Sequence, residues 1–248
     1  MKSIIKQKAK YILITGATSG IGNAIACCFA KEGWNILCHY YSSEIKANKL
    51  KKSIQSFGVK CELIKANFVK KKELEKFINR IKKRKIDTLI NNAGTCLNQK
   101  YFTNISLQDI HRTFMINAFV PFVISSAVFI KMKRNNFGRI VNISSIAAKY
   151  GGSAYSMHYG CSKRALEGIT KTLSKEGASC NVLVNTVRPG VIDTDFHKKF
   201  PKDMQERIKI IPLKRMGQVE EVADMVFFLS SDKNTFITNQ TIGVSGGE

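Results

Sequence analysis

Tyr159 and Lys163 stand four residues apart in the stretch His158-Tyr159-Gly160-Cys161-Ser162-Lys163, and together they can move a proton. Residues four apart on a helix share a face, so the ammonium reaches the neighbourhood of the phenol. A free phenol ionises at about pH 10. An adjacent cation favours the phenolate and lowers that value. A tyrosine that exchanges its proton near neutrality is what carbonyl reduction or alcohol oxidation requires. The same spacing also suits a solvated helix face, so the rest of the chain must say what the pair is for.

The elements that would position this pair alternate along the chain. Apolar runs at 11–14, 35–39, 61–65, 88–90, 139–143, 182–186 and 241–244 read as strands, several of them apolar throughout. Helical patterns fall between them: from the first glycine-rich turn to about Glu32, at 44–57, 71–83 and 107–133, through Tyr159 to about Ala178, and at 220–230. Pro121 marks a kink in the fourth of these. Strands apolar on both faces, each followed by a helix, predict a parallel sheet covered on both sides. Right-handed crossovers then give an α/β, doubly wound, Rossmann-type fold. No repeat or linker interrupts the chain, so residues 1–248 read as one domain.

Gly16, Gly20 and Gly22 fall between the first strand and its helix, in the run Thr15-Gly16-Ala17-Thr18-Ser19-Gly20-Ile21-Gly22. There a dinucleotide pyrophosphate rests on a helix N-terminus: glycines admit the backbone to the phosphates and the helix dipole favours their charge. The spacing is G-x-x-x-G-x-G rather than G-x-G-x-x-G. Thr18, Ser19 and Ile21 complete this cofactor-binding turn. After the second strand come Tyr40, Tyr41, Ser42 and Ser43, with no acid before Glu44. An acid there would bind the ribose of NAD. Ser42 and Ser43 can instead donate to a 2′-phosphate, with Lys46 offsetting its charge. NADPH/NADP+ is therefore the expected cofactor and NADH the alternative, although no arginine occupies this loop.

Forty Lys and Arg against 18 Asp and Glu give a net charge of +22. The excess is mostly lysine, spread over many segments with modest clusters at 70–72 and 82–85. It suits an acidic or phosphorylated ligand better than specific nucleic-acid recognition, for which arginine is the better fork. Seven scattered cysteines without a C-x-x-C pair suggest reduced thiols, neither a disulfide framework nor a metal site. The basic N-terminus lacks a signal peptide's apolar stretch, and no apolar run is expected to span a bilayer. A cytoplasmic protein is the expectation.

With the glycine turn, Asn91-Asn92-Ala93-Gly94, Ser144-Ser145, Tyr159/Lys163 and Pro189-Gly190 in this order, the chain resembles the short-chain dehydrogenase/reductase family over nearly its full length. The resemblance implies a seven-stranded sheet, a nicotinamide cofactor and a homotetramer or homodimer, commonly paired through the helices here at 107–133 and 154–178. It implies Tyr159 as general acid for reduction or base for oxidation, and Lys163 lowering its pKa and holding the nicotinamide ribose. Ser145 would hydrogen-bond the substrate oxygen, and Asn117 would support a proton-relay water. Asn91, Ala93 and Gly94 would line the adenosine side of the cleft. Pro189, Gly190, Ile192 and Thr194 would shape the nicotinamide pocket.

Competing readings attach to several of these residues. Strand alternation turns only one of Ser144 and Ser145 to the active face; the family pattern favours Ser145. His158 borders the pocket or solvent rather than acting as a base, and Cys161 is a small packed side chain. Tyr155 and Met157 line the substrate entrance. Two departures stand out. The gap from Ser145 to Tyr159 is one residue longer than in many members, and Asn67 replaces an aspartate that commonly contacts the adenine.

The segments Ile237-Thr238-Asn239-Gln240-Thr241-Ile242-Gly243-Val244-Ser245-Gly246-Gly247, Gly138-Arg139-Ile140-Val141-Asn142-Ile143-Ser144-Ser145 and Val184-Asn185-Thr186-Val187-Arg188-Pro189-Gly190 resemble 3-oxoacyl-[acyl-carrier-protein] reductases. A basic chain would meet an acidic acyl carrier protein quickly. Against this, the usual docking arginine is Cys180 here, and a second basic position is Asn136, with Lys133 and Arg134 close by. A substrate lid is expected near 194–212, apolar inside through Phe196, Phe200, Met204, Ile208 and Ile210. Sugar, polyol or small-alcohol dehydrogenases of the same family are the rival reading, and a non-catalytic redox-sensing or nucleic-acid-binding protein is the remote one.

Overall fold

Every strand expected from the sequence forms. They are β1 (Tyr11–Ile14), β2 (Asn35–Tyr40), β3 (Cys61–Lys65), β4 (Thr88–Asn91), β5 (Gly138–Ile143), β6 (Val182–Pro189) and β7 (Thr241–Val244). All pair in parallel, in the order β3-β2-β1-β4-β5-β6-β7. The computed structural model describes residues 9–198 and 203–248. β1 shows how a short apolar run does two jobs. Ile12 and Ile14 join one core layer and Leu13 the other, all fully buried, because successive side chains alternate across a sheet.

On the Ile12/Ile14 face lie α1 (Gly20–Lys31), α2 (Glu44–Gln55) and α10 (Val219–Ser230). Phe29 of α1 packs edge-on against Trp34 and Phe227, with ring centroids 5.1 and 4.9 Å away. Truncating so buried a ring to alanine costs about 3–5 kcal/mol. On the Leu13 face lie α3 (Lys71–Lys82), α5 (Val120–Arg134) and α7 (Met157–Ala178), with α4 (Leu107–Phe114) leading into α5. Short helices α6 (Ala147–Tyr150), α8 (Asp195–Lys198) and α9 (Met204–Lys209) lie in the connections above the sheet.

The expected kink at Pro121 takes another form. Between α4 and α5 the backbone makes one π turn, Met115–Phe119, and Pro121 sits in the first turn of α5. Having no N–H, Pro121 cannot return the usual bond to the Asn117 carbonyl, and the helix widens there. The continuous helical stretch Leu107–Arg134 (28 residues) holds an apolar window of mean hydropathy 2.0, long and apolar enough by length and composition to cross a membrane, yet half of that window is buried inside the fold. It is a core helix of an α/β domain, apolar on the side facing the sheet and also on part of its outer side.

The order reverses between β1 and β4, since the chain winds outward to β3 and then returns. In such sheets ligands bind beyond the carboxyl ends of the strands at the reversal. The glycine turn after β1, the Asn91–Gly94 segment after β4 and Ser145 after β5 all emerge there.

Candidate active site

The glycine turn is a tightly bonded knot. Gly16 adopts φ +64°, and a Cβ on Gly22 would come within 2.4 Å of the Gly16 carbonyl oxygen. Ser19 caps α1: its Oγ accepts from Gly22 N at 3.2 Å and donates to Gly16 O at 2.9 Å. No acidic residue occupies the first turn of α1, so the helix N-terminus presents N–H groups and a positive dipole end to an incoming phosphate. These residues fit a dinucleotide pyrophosphate.

Side chains to which the sequence assigns no role of their own hold this turn in place. Asn92 donates from Nδ2 to Thr15 O (2.9 Å), Gly16 O (3.0 Å) and Ser19 Oγ (3.2 Å). Thr15 Oγ1 accepts from the N–H groups of Asn92 and Ala93, each at 3.0 Å. His39, at the end of β2, is 2% exposed. Its Nδ1 accepts from Gly16 N at 3.0 Å, which leaves Nε2 to donate to Ala66 O at 3.1 Å. The ring stacks on Phe68 at 3.9 Å. Burial drives its pKa down to about 4, with the Ala66 bond opposing, so the imidazole is neutral and one tautomer is selected. An amide directly after a strand's apolar run is the signal that marks Asn92; nothing in the sequence marks His39.

Asn91, expected on the cleft, turns its side chain inward. It donates to Ser125 Oγ (3.0 Å) and Asn142 Oδ1 (2.8 Å) within the core, leaving the cleft only its backbone. Tyr40 is buried, Ser42 is exposed, and Ser43 caps α2 by accepting from Lys46 N at 3.2 Å. Asn67 Oδ1 accepts from Val69 N at 3.1 Å, so that side chain is committed to its own turn. Glu44, the first acid after β2, lies 4.0 Å from Lys65, and Lys46 lies 3.6 Å from Asp195.

Asn117, Ser145, Tyr159 and Lys163 converge above β4 and β5. Tyr159 and Ser145 share a hydrogen bond. The Lys163 ammonium lies 5.9 Å from the Tyr159 ring centroid and donates to Ile143 O at 2.8 Å. Asn117 Oδ1 accepts from Thr95 N and its Nδ2 donates to Thr95 O, both at 2.8 Å, and to Ser162 Oγ at 2.9 Å. Gly94 is crowded by this group: a Cβ there would meet Lys163 Nζ at 2.9 Å. Ser144 faces the other way, buried, and donates to Glu167 Oε1 at 2.8 Å, which leaves Ser145 on the cleft side as alternation requires.

The electrostatics revise one expectation. Burial pushes the Tyr159 phenol up to about 12, the Ser145 hydrogen bond opposing and the Cys96 thiol adding to the rise. Lys163 is itself drawn down to about 8 by burial, with the Glu167 carboxylate opposing. Desolvation thus outweighs the lowering expected from the cation. The Tyr159 phenol is therefore protonated at neutral pH.

The cleft's remaining wall follows β6. Pro189 and Ile192 are buried, Gly190 N donates to Val244 O at 2.9 Å, and Ile192 bridges to Gly217. Thr194 overhangs the glycine turn: its Cγ2 is 2.7 Å from where a Gly20 Cβ would stand. The Phe196 ring lies 6.0 Å from that of Tyr159. Ile210 is 68% exposed, so it contributes nothing to an apolar inner surface, and Phe200 lies outside the described residues. Tyr155 and Met157 are exposed, and the Tyr155 ring packs edge-on against Tyr101. His158 is buried and tied through Nε2 to Leu97 O at 2.7 Å, a strut rather than a base. Cys161 is exposed rather than packed. Among the described residues no cluster of His, Cys, Asp or Glu could hold a metal ion.

Comparison with known proteins agrees with this geometry. A family profile described as enoyl-(acyl carrier protein) reductase matches residues 16–248. The 3-oxoacyl-[acyl-carrier-protein] reductase of Aquifex aeolicus is 36% identical over 246 residues, covering 98% of both chains. Among solved structures, a blue fluorescent protein from a metagenomic library, in complex with NADPH, superposes with a TM-score of 0.89 at 30% identity, covering 96% of this chain and 97% of that one. An acetoin dehydrogenase of Salmonella typhimurium gives a TM-score of 0.85 at 28% identity, covering 96% and 95%. Likeness of this extent, over a cleft of this construction, makes the chain a member of the short-chain dehydrogenase/reductase family of NAD(P)-dependent oxidoreductases.

Proposed function

We propose that this protein is an NADP(H)-dependent ketone reductase of the 3-oxoacyl-[acyl-carrier-protein] reductase type. The observation that carries the proposal is the cluster of Tyr159, Lys163 and Asn117 beside Ser145 at the strand ends, tied by Lys163 Nζ to Ile143 O and by Asn117 to Ser162: the Ser145 and Tyr159 hydroxyls are two donors for a ketone oxygen that gains charge. The nicotinamide, when bound, supplies the hydride. Ser145 and Tyr159 hold the carbonyl oxygen, and Tyr159 delivers its proton as the C=O bond becomes an alcohol. Lys163, fixed by Ile143 O, stands behind the phenol to compensate the charge it then carries. Asn117 braces the second turn of α7 through Ser162.

NADPH over NADH is supported by the loop after β2, where Glu44 faces Lys65 and Lys46 lies beside the cleft. The NADPH complex of the metagenomic relative points the same way. The carrier-protein substrate rests on the Aquifex relative and on the charge of +22. Cys180 and Asn136 lack the docking charge, so Lys133 and Arg134 at the end of α5 are the residues assigned to it. Phe119, Phe122, Val123 and Ile130 form an exposed apolar strip on the outer side of the long helix, which we assign to pairing with a second copy. The rival reading, a small hydroxyketone or alcohol as substrate, draws on the acetoin dehydrogenase likeness.

The test follows NADPH and NADH oxidation with acetoacetyl, crotonyl and acetoin substrates, beside a Tyr159→Phe control. Acetoacetyl thioester reduction with NADPH, reduced about 10²–10⁴-fold in the variant, is the expected result. Turnover confined to acetoin moves the protein to the rival class, and turnover of the crotonyl thioester alone replaces carbonyl by alkene reduction.

A further inference from the structure

Glu167 is the least expected group behind the site. It lies one helical turn beyond Lys163 on the same face of α7, and its side chain is 7% exposed. Its carboxylate is fully engaged. Oε1 accepts from Ser144 Oγ at 2.8 Å and Arg188 Nε at 2.6 Å. Oε2 accepts from Arg188 Nη2 at 2.6 Å and Arg164 Nη1 at 3.3 Å. The Arg188 contact is a bidentate fork, the strong form of such pairs. Hydrogen bonds and charge from the arginines and Ser144 hold the acid below the usual carboxylate range against its burial.

These contacts join three separate walls of the cleft. Ser144 precedes Ser145 at the end of β5. Arg188 precedes Pro189 and Gly190 at the end of β6. Glu167 itself belongs to α7, which carries Tyr159 and Lys163. We propose that Glu167, paired with Arg188, is a positioning residue for catalysis: one buried carboxylate sets the serine, the tyrosine–lysine helix and the nicotinamide wall relative to one another. The same carboxylate opposes the burial that draws the Lys163 ammonium down. This rests on the reductase reading above. The charged groups around it are Arg188 from β6 and Arg164 and Lys163 from α7; β5 contributes only the Ser144 hydroxyl. A buried pair of this kind is a poor source of stability, since its desolvation offsets its attraction, but it fixes geometry.

The test compares wild type, Glu167→Gln and the double variant Glu167→Leu/Arg188→Leu. Glu167→Gln is expected to lower kcat about 10–100-fold, with KM for NADPH within about twofold. The double variant, in which an apolar pair replaces the ion pair, is expected to keep the wild-type melting temperature and the lowered kcat. Wild-type kcat in either variant overturns the proposal, as does a kcat loss that the double variant restores. A second readout needs no turnover. In cofactor-free protein labelled at tyrosine ¹³Cζ, the Tyr159 signal, assigned by its loss in Tyr159→Phe, reports Lys163 titrating near 8. In Glu167→Gln this inflection is expected to fall by about one pH unit; an unmoved inflection refutes the electrostatic half. Absence of turnover in the wild type condemns the reductase reading and leaves the inflection to decide the charge effect.

Discussion

His39 offers a titration that can be separated from all others. Its pKa falls from 6.5 to about 4 on folding because the ring is buried, with the Ala66 bond opposing. Between those values the unfolded chain binds a proton that the native state refuses, so stability rises with pH across that window. The contribution is fully present above about 6.5 and is lost as pH falls to about 4. At about 1.4 kcal/mol per pKa unit the whole effect is about 3 kcal/mol, of which about 2 kcal/mol is lost between pH 7.5 and 5.0. His39→Asn keeps an acceptor, Oδ1, at the place of Nδ1 and removes the titration. Urea midpoints of both proteins at both pH values, at one protein concentration, give the comparison. The constant cost of the smaller side chain cancels, as do the carboxylates common to both chains. Wild type is expected to lose about 2 kcal/mol more than His39→Asn on going to pH 5.0. Equal losses would mean that His39 is not the neutral buried acceptor described above.

Four further outcomes are expected. Ser145→Ala should lower kcat about 10²–10³-fold in the ketone assay while leaving NADPH binding unchanged. Gly22→Ala, whose Cβ would meet Gly16 O at 2.4 Å, should cost about 1–3 kcal/mol in denaturant titrations and weaken NADPH binding, read by nicotinamide fluorescence. Lys46→Ala should raise the Kd of NADPH about tenfold and leave that of NADH unmoved; equal effects on the two would remove Lys46 from the 2′-phosphate. Phe122→Asp, at a side chain 58% exposed on α5, should shift sedimentation toward the monomer, and an unchanged assembly would place the interface elsewhere.

The strands were legible because a sheet buried on both faces writes itself as uninterrupted apolar runs such as Ile12-Leu13-Ile14. The glycine turn was legible because its backbone demands small residues. What escaped the sequence were contacts whose partners lie far apart along the chain. His39 closes an apolar strand and reads like any strand-end residue until Gly16 is seen bonded to it. Asn91 and Asn92 are adjacent amides, and only strand alternation in three dimensions turns one to the core and the other to the glycine turn. The raised Tyr159 pKa was illegible for a similar reason: spacing reveals the nearby cation, whereas desolvation depends on what covers the phenol.

The π turn at Met115–Phe119 carries a consequence for how this site can change. An α-helix advances about 100° per residue, and the turn holds one residue more than its neighbours, absorbed as a local widening. Deleting a residue there would restore a regular helix and leave α4 and α5 nearly in phase, but it would displace Asn117, which the widened turn presents to Thr95 and Ser162. A residue gained or lost elsewhere in the helix has no widened turn to absorb it and would rotate everything before it by about 100° relative to everything after. The outer apolar strip, which lies mostly after the turn, would then lose its phase with α4. Chain length between Ser106 and Asn135 is therefore far less free to vary than the identity of the residues that fill it, and lineages of this protein should accept substitution in that interval long before they accept insertion or loss.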